Sequence, residues 1–150
     1  MAEDSRGNRS GTGAASILPH IAAEAADPKK WRATQTVLVV DDMDGQRYAM
    51  ARRLKEDGFK TIEAACGRDA IAMAAAATAV VLDVNLPDIN GVEVCRALKA
   101  ARPSLPVVLV SAVYDGELHR IAAATAGADA YLAPPPTSPS LTATIDRLLQ

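Results

Sequence analysis

The sequence predicts an α/β fold in which a parallel sheet carries helices on both faces. Two observations predict it. Strand-like runs, of which the first, third and fourth are short, continuous and apolar, alternate five times with amphipathic or alanine-rich segments. Acidic or hydroxyl-bearing residues directly follow three of these runs, which is the position where open α/β sheets bind ligands.

The first, third and fourth predicted strands are apolar runs too short to be buried helices. The first of them, residues 36–40, is a run of threonine, valine and leucine that fits a strand buried on both faces. The five predicted strands span residues 36–40, 60–65, 79–82, 107–110 and 130–132.

The segments between the strands carry helix start and stop signals. Gly58 is a suitable stop for the helix after the first strand, and Asn90 with Glu93 forms a capping signature at the start of another. Ser138-Pro139 places proline at the first position of the last helix. The predicted helices cover 44–57, 69–77, 90–102, 115–126 and the residues that follow Pro139.

The first 34 residues differ in composition from the rest. Residues 1–13 are polar and glycine-containing, and residues 14–26 are alanine-rich enough for a short helix. The segment of Lys29, Lys30, Trp31 and Arg32 is interpreted as a solvated linker, with a basic binding patch as the alternative. We therefore predict a disordered or partly helical tail over 1–34 and one folded domain over 35–150.

Length, net charge, cysteine spacing and the length of apolar stretches indicate which classes of protein are excluded. The chain has 150 residues, about one domain's worth, and its net charge of −2 argues against nucleic acid or an anionic membrane as the main partner. Cys66 and Cys95 lack metal-ligand spacing and are interpreted as reduced thiols. No apolar stretch reaches the roughly 20 residues of a membrane span, and no secretory signal pattern opens the chain. We therefore expect a cytoplasmic protein.

Carboxylates gather at the predicted strand ends. Asp41 and Asp42 follow the first run and Asp83 follows the third, so the three meet in one crevice if those strands are neighbours. Clustered anions repel unless a cation lies among them, and oxygen ligands favour a hard ion such as Mg²⁺. The alternative is that each aspartate caps the next helix or turn. Ser111 ends the fourth run at the same edge, where its hydroxyl is placed to donate to an oxyanion.

Four motifs together resemble the response regulator receiver family of two-component signalling. They are the sequences at 37–42, 80–91, 106–112 and 127–132, and the resemblance extends from about Thr36 to Gln150. It implies a doubly wound, flavodoxin-like sheet with strand order 2-1-3-4-5.

The resemblance also implies roles at the acidic edge. Asp83 matches the phosphoacceptor, which takes a phosphoryl group from a histidine. Asp42 matches a direct Mg²⁺ ligand, Asp41 an acid that usually acts through water, and Asn85 the position whose backbone carbonyl completes the metal site. Gly91 matches part of the loop that shapes this site.

A switch is implied as well, with one departure from the family pattern. Ser111 and Tyr131 match the hydroxyl and the aromatic residue that move together after phosphorylation. The family expects a lysine after the fifth strand, and Pro134 occupies that position. Such a lysine normally pairs with the phosphoryl group, a bond worth roughly 1.5–3 kcal/mol.

The resemblance therefore implies a single-domain receiver with Mg²⁺ as cofactor. Its partners would be a histidine kinase or histidine phosphotransfer protein and a downstream protein target, and it would be no enzyme beyond self-catalysed phosphotransfer and autodephosphorylation. The oligomeric state is left open. The first alternative is a degenerate receiver that acts as a phosphorylation-independent interaction module, which the proline at 134 favours. The second is an enzyme of another class, but the residues from Asp83 to Asn85 lack a second aspartate and residues 41–45 lack a glycine-rich phosphate-binding turn.

Overall fold

The computed structural model describes residues 27–111, 121–122, 124–133 and 140–150. Strands and helices alternate through the described residues as the sequence predicts. Residues 121, 122 and 124–126 are also helical. The elements are α1 Pro28–Arg32, β1 Thr36–Val40, α2 Asp44–Glu56, β2 Lys60–Ala64, α3 Gly67–Met73, β3 Ala79–Asp83, α4 Gly91–Ala101, β4 Val107–Val110, β5 Ala130–Leu132 and α5 Ser140–Leu149.

The five strands form one sheet in the order β2-β1-β3-β4-β5, and every neighbouring pair is parallel. This confirms the predicted fold class and strand order. Because the order reverses between β1 and β3, the crevice at their carboxyl ends is the topological switch point where ligands bind in such sheets.

Alternating residues of the central strands point into two separate cores. Leu38 and Leu82 belong to the core on one face, while Val37 and Val81 belong to the core on the other, and all four are fully buried. A strand buried on both faces needs an apolar side chain at every position, which explains the continuous runs in the sequence.

The alanine-rich segment after β2 is not one uniform helix. α3 begins two residues before the predicted start and ends at Met73, where a 3₁₀ turn over Ala74–Ala76 continues it. The Arg102 guanidinium donates to the backbone carbonyls of Ala74 and Ala77, each at 3.1 Å. These bonds satisfy carbonyls that a continuing α-helix would otherwise use.

α1 lies against the domain, so the linker interpretation is wrong for two of its residues. Trp31 is half-buried and meets the Phe59 ring edge-on at 6.5 Å between centroids. Arg32 forms two hydrogen bonds to the Asp146 carboxylate in α5, at 3.0 and 2.5 Å, and donates to the Asp57 carbonyl at 2.8 Å. Residues 1–26 lie outside the described part of the chain, and the tail-to-domain boundary at 34/35 stays a prediction. No helix among the described residues is long and apolar enough to cross a membrane.

Candidate functional site

Three carboxylates converge at the carboxyl ends of β1 and β3. Val40 pairs with Leu82 in the parallel register, so Asp41 and Asp83 come next to each other at the strand ends. Asp41, Asp42 and Asp83 each offer an oxygen, and these oxygens all lie within 4.8 Å of one another. The sequence predicted this convergence because residues directly after neighbouring parallel strands share one edge of the sheet.

The three carboxylates differ in exposure and in hydrogen bonding. Asp41 is fully buried, and its Oδ1 accepts a hydrogen bond from the Met43 amide at 2.9 Å. Its Oδ2 is also buried and has no hydrogen-bond partner among the described residues. Asp83 is half-buried and accepts from the Asn85 amide at 3.2 Å, whereas Asp42 is exposed.

This environment raises the pKa of two of the acids. Burial is the largest cause of a pKa of about 6 for Asp83, and the charges of Asp41 and Asp42 raise it further, against the backbone hydrogen bond from Asn85. Burial likewise raises the pKa of Asp41 above its usual value. A bound cation would reverse these shifts, because it favours the charged form of every carboxylate around it.

The donor set fits a hard divalent cation. All three groups are carboxylates, which are the ligands that Mg²⁺ prefers in proteins. The buried Oδ2 of Asp41 accepts no hydrogen bond from the residues that the structure describes, and such groups are rare unless an ion, a water or a ligand completes them. The Asn85 amide donates to the Asp83 carboxylate, and the role of the Asn85 carbonyl in the metal site stays a prediction.

Arg47 ties the acidic edge to two neighbouring elements. Its guanidinium donates to the Asp41 backbone carbonyl at 2.8 Å, to Asp44 at 2.7 Å and to Glu63 at 3.2 Å. The positive charge also lowers the pKa of Asp41, although less than burial raises it. The sequence analysis missed Arg47; its only signal was the spacing of three residues from Asp44 on α2.

The predicted switch residues Ser111 and Tyr131 lie directly after β4 and within β5. Val110 pairs with Asp83, so Ser111 follows at the same sheet edge, where it is buried and its amide donates to the Leu132 carbonyl at 3.2 Å. Tyr131 in β5 packs against the same core as Leu38, and its hydroxyl is buried without a hydrogen-bond partner in the described part of the chain. Pro134 lies outside the described residues.

Comparisons with known proteins agree with this geometry. A family model described as the response regulator receiver domain matches residues 37–146. The chain is 38% identical to the response regulator MprA of Mycolicibacterium vanbaalenii over 116 residues, which cover 76% of this chain and 50% of that protein. It is 39% identical to a cyclic di-GMP phosphodiesterase of Thermotoga maritima over 100 residues, 67% of this chain and 27% of that protein.

Two solved structures with the same fold match this chain over nearly their whole length. The BeF₃-activated DrrB receiver domain matches with a TM-score of 0.70 and 33% identity, over 77% of this chain and 97% of that one. A CheY-like receiver domain from Methanospirillum hungatei matches with a TM-score of 0.72 and 25% identity, over 77% and 93% of the two chains. The chain thus spans half or less of the length of these two curated relatives, whereas it spans nearly the whole length of these two solved domains.

Proposed function

Because the receiver model matches most of its length, this chain belongs to the response regulator receiver family, and we propose that Asp83 accepts a phosphoryl group in a Mg²⁺-dependent reaction. The donor is a histidine kinase or a histidine phosphotransfer protein, and the output is a changed interaction with a downstream protein. The observation that carries the proposal is the convergence of Asp83 with Asp41 and Asp42, together with the Asp41 Oδ2, which has no hydrogen-bond partner within the described ranges.

The proposed reaction is an in-line displacement at phosphorus. A carboxylate oxygen of Asp83 forms the new O–P bond as the P–N bond to the donor histidine breaks, and the bonding pair leaves with the imidazole, which takes up a proton. With a pKa of about 6, Asp83 is mostly ionised at neutral pH even before a cation binds. Later hydrolysis of the acyl phosphate by water would return the carboxylate and release phosphate.

The neighbouring acids serve the reaction by holding the cation and not by exchanging protons. Asp41, Asp42, Asp83 and the Asn85 carbonyl are the groups that would bind it. Mg²⁺ supplies charge neutralisation and a fixed position for a phosphoryl oxygen when it is bound. Asp41 is suited to this role because its backbone is fixed by Arg47 while one of its oxygens lacks a partner.

Signalling is proposed to run through Ser111 and Tyr131. A phosphoryl dianion on Asp83 would attract the Ser111 hydroxyl, since Ser111 follows the strand residue that pairs with Asp83. Tyr131 would then change its packing, because Ser111 and Leu132 are joined through the backbone. Pro134 removes the cation that the family uses beside the phosphoryl group, so the coupling is expected to be weaker here.

A second candidate function is a degenerate receiver that binds partners without phosphorylation. Pro134 at the lysine position is the observation that favours it. The buried, cation-compatible Asp41 opposes it, because an interaction module gains nothing from burying an unpaired carboxylate oxygen.

Intact mass spectrometry after incubation with Mg²⁺ and a small acyl-phosphate donor tests the two candidates. We expect the wild type to gain one phosphoryl group and Asp83→Asn to gain none. Asp69→Asn is the matched control, since it removes an exposed acid from the first turn of α3 and should leave phosphorylation unchanged. If the wild type gains no mass from this donor or from a cognate kinase, the interaction-module function is favoured instead.

A further inference from the structure

The loop between β3 and α4 carries Asn85 and is fixed at its base. The Gly91 amide donates to the Val84 carbonyl at 2.7 Å, and the Asn85 amide donates to the Asp83 carboxylate at 3.2 Å. The first bond joins the two ends of the loop and the second lies within its first end, so neither of them restrains the residues at its tip.

A second attachment holds the tip of this loop. Asp88 is at the tip, and its carboxylate accepts from the backbone amides of Gly67 at 2.8 Å, Arg68 at 2.9 Å and Ile89 at 2.9 Å. The first two amides belong to the first residues of α3, the helix that follows β2. The bonds also lower the pKa of Asp88, so the group is an anion at neutral pH and each bond is charge-assisted.

Side-chain atoms of the loop tip and of α4 pack closely around Gly67, where the loop tip is attached to α3. A Cβ atom at Gly67 would lie 2.9 Å from Val94 Cγ2, 3.1 Å from Ile89 Cβ and 3.2 Å from Asp88 Oδ1. The loop tip, the start of α3 and the first turns of α4 therefore approach each other so closely that a side chain at residue 67 would force a neighbour to shift. A shift of the loop tip would break hydrogen bonds and open this contact at the same time.

We propose that Asp88 is a positioning residue for the metal centre, which holds the β3–α4 loop against the start of α3 so that the Asn85 carbonyl stays in place. The inference rests on the proposed function, because it assigns Asn85 to the cation. Asp88 itself touches neither cation nor phosphoryl group in this role. It acts through the loop, at a distance of three residues from Asn85.

Two measurements on Asp88→Ala test the role. The first is amide hydrogen exchange of residues 84–91 in the metal-free protein, which needs no cation. The second is a Mg²⁺ titration. We expect faster exchange in this loop and a dissociation constant for Mg²⁺ raised about fivefold, somewhat less than the 10-fold or more that direct partners of a ligand contribute.

Two further variants separate positioning from general stability. Asp88→Asn keeps one acceptor oxygen and should give intermediate values for both measurements. Thr78→Val removes two hydrogen bonds between the Thr78 hydroxyl and the Thr36 backbone, at 2.9 and 3.0 Å, from the opposite edge of the sheet. It should lower the melting temperature without changing loop exchange or Mg²⁺ affinity.

The outcomes distinguish this inference from the proposed function. If the wild type binds Mg²⁺ and Asp88→Ala binds it equally well with unchanged loop exchange, the positioning role is wrong and the proposed function stands. If the wild type binds no Mg²⁺, the proposed function fails. Loop exchange then still decides whether Asp88 holds the loop.

Discussion

The backbone carbonyl oxygen of Asp83 lies 2.3 Å from the point where a Cβ atom would stand at Gly91. Val84 Cα lies 2.6 Å from the same point. No side chain fits in this space, because both neighbours are backbone atoms that cannot rotate away. The start of α4 thus packs directly on the residues that carry the proposed phosphoacceptor.

Gly91→Ala is therefore expected to displace the β3–α4 loop. The overpacking should lower the free energy of unfolding by about 1–3 kcal/mol and weaken Mg²⁺ binding. Urea unfolding and a Mg²⁺ titration measure the two effects. Gly45→Ala is the control, since a Cβ there meets nothing within 4 Å and should be neutral or stabilising by up to about 1 kcal/mol. Equal stability of the two variants would contradict the steric argument.

Asp83→Asn should change how stability depends on pH in the metal-free protein. The folded-state pKa of Asp83, about 6, lies above its usual value of 3.8, so the folded protein keeps this proton longer than the unfolded chain does. The contribution of Asp83 to the stability of the wild type is then lost as pH rises from about 4 to 6, whereas the variant has no such contribution.

At pH 7 the variant should be more stable by about 1 kcal/mol, a value that allows for the water that reaches the half-buried carboxylate. Urea midpoints measured between pH 3.5 and about 7.5 with a chelator test this expectation. The difference in stability between Asp83→Asn and the wild type should shrink below pH 4, and it should also shrink when Mg²⁺ is added. A pH-independent difference would show that the carboxylate does not titrate as described.

The ion pair between Arg32 and Asp146 should contribute to stability, although Arg32 lies in α1, before the residues 37–146 that the receiver family model matches. Its side chains are only 14% and 21% exposed, and two hydrogen bonds join them. Asp146→Asn is expected to lower the free energy of unfolding by about 1–3 kcal/mol.

The exposed pair of Arg52 and Glu56 is the matched control. Its atoms are 3.4 Å apart and its side chains are 65% and 57% exposed. Glu56→Gln should therefore change stability by less than about 0.5 kcal/mol. Trp31 fluorescence follows unfolding in both variants, since the indole contacts Phe59. If Asp146→Asn behaves like the control, α1 is not an integral part of the domain.

Pro134→Lys should strengthen the response to phosphorylation. It restores a cation at the position where the family places one beside the phosphoryl group. We expect larger phosphorylation-induced changes in the amide chemical shifts around Ser111 and Tyr131 than in the wild type. Pro136→Lys adds the same charge two residues later and should not reproduce the effect. Equal responses in both variants would mean that the switch does not depend on a cation at 134.

Local sequence patterns predicted the strands and placed the three aspartates at strand ends, whereas their meeting also required β1 and β3 to be neighbours. Apolar runs such as residues 79–82 are too short and too continuous for any element except a strand buried on both faces. Once strands are parallel, a residue directly after a strand must lie at one particular edge of the sheet. The positions of Asp41 and Asp83 are therefore consequences of local patterns in the chain.

The side chains that join distant elements could be identified only once those elements had packed over the sheet. Asp88 meets the amide of Gly67 across 21 residues, and Arg32 meets Asp146 across 114. Neither pair leaves a periodic or neighbouring signal, because each contact depends on how separate elements pack over the sheet. Local patterns specify the backbone elements, whereas contacts between distant elements exist only after those elements have packed together.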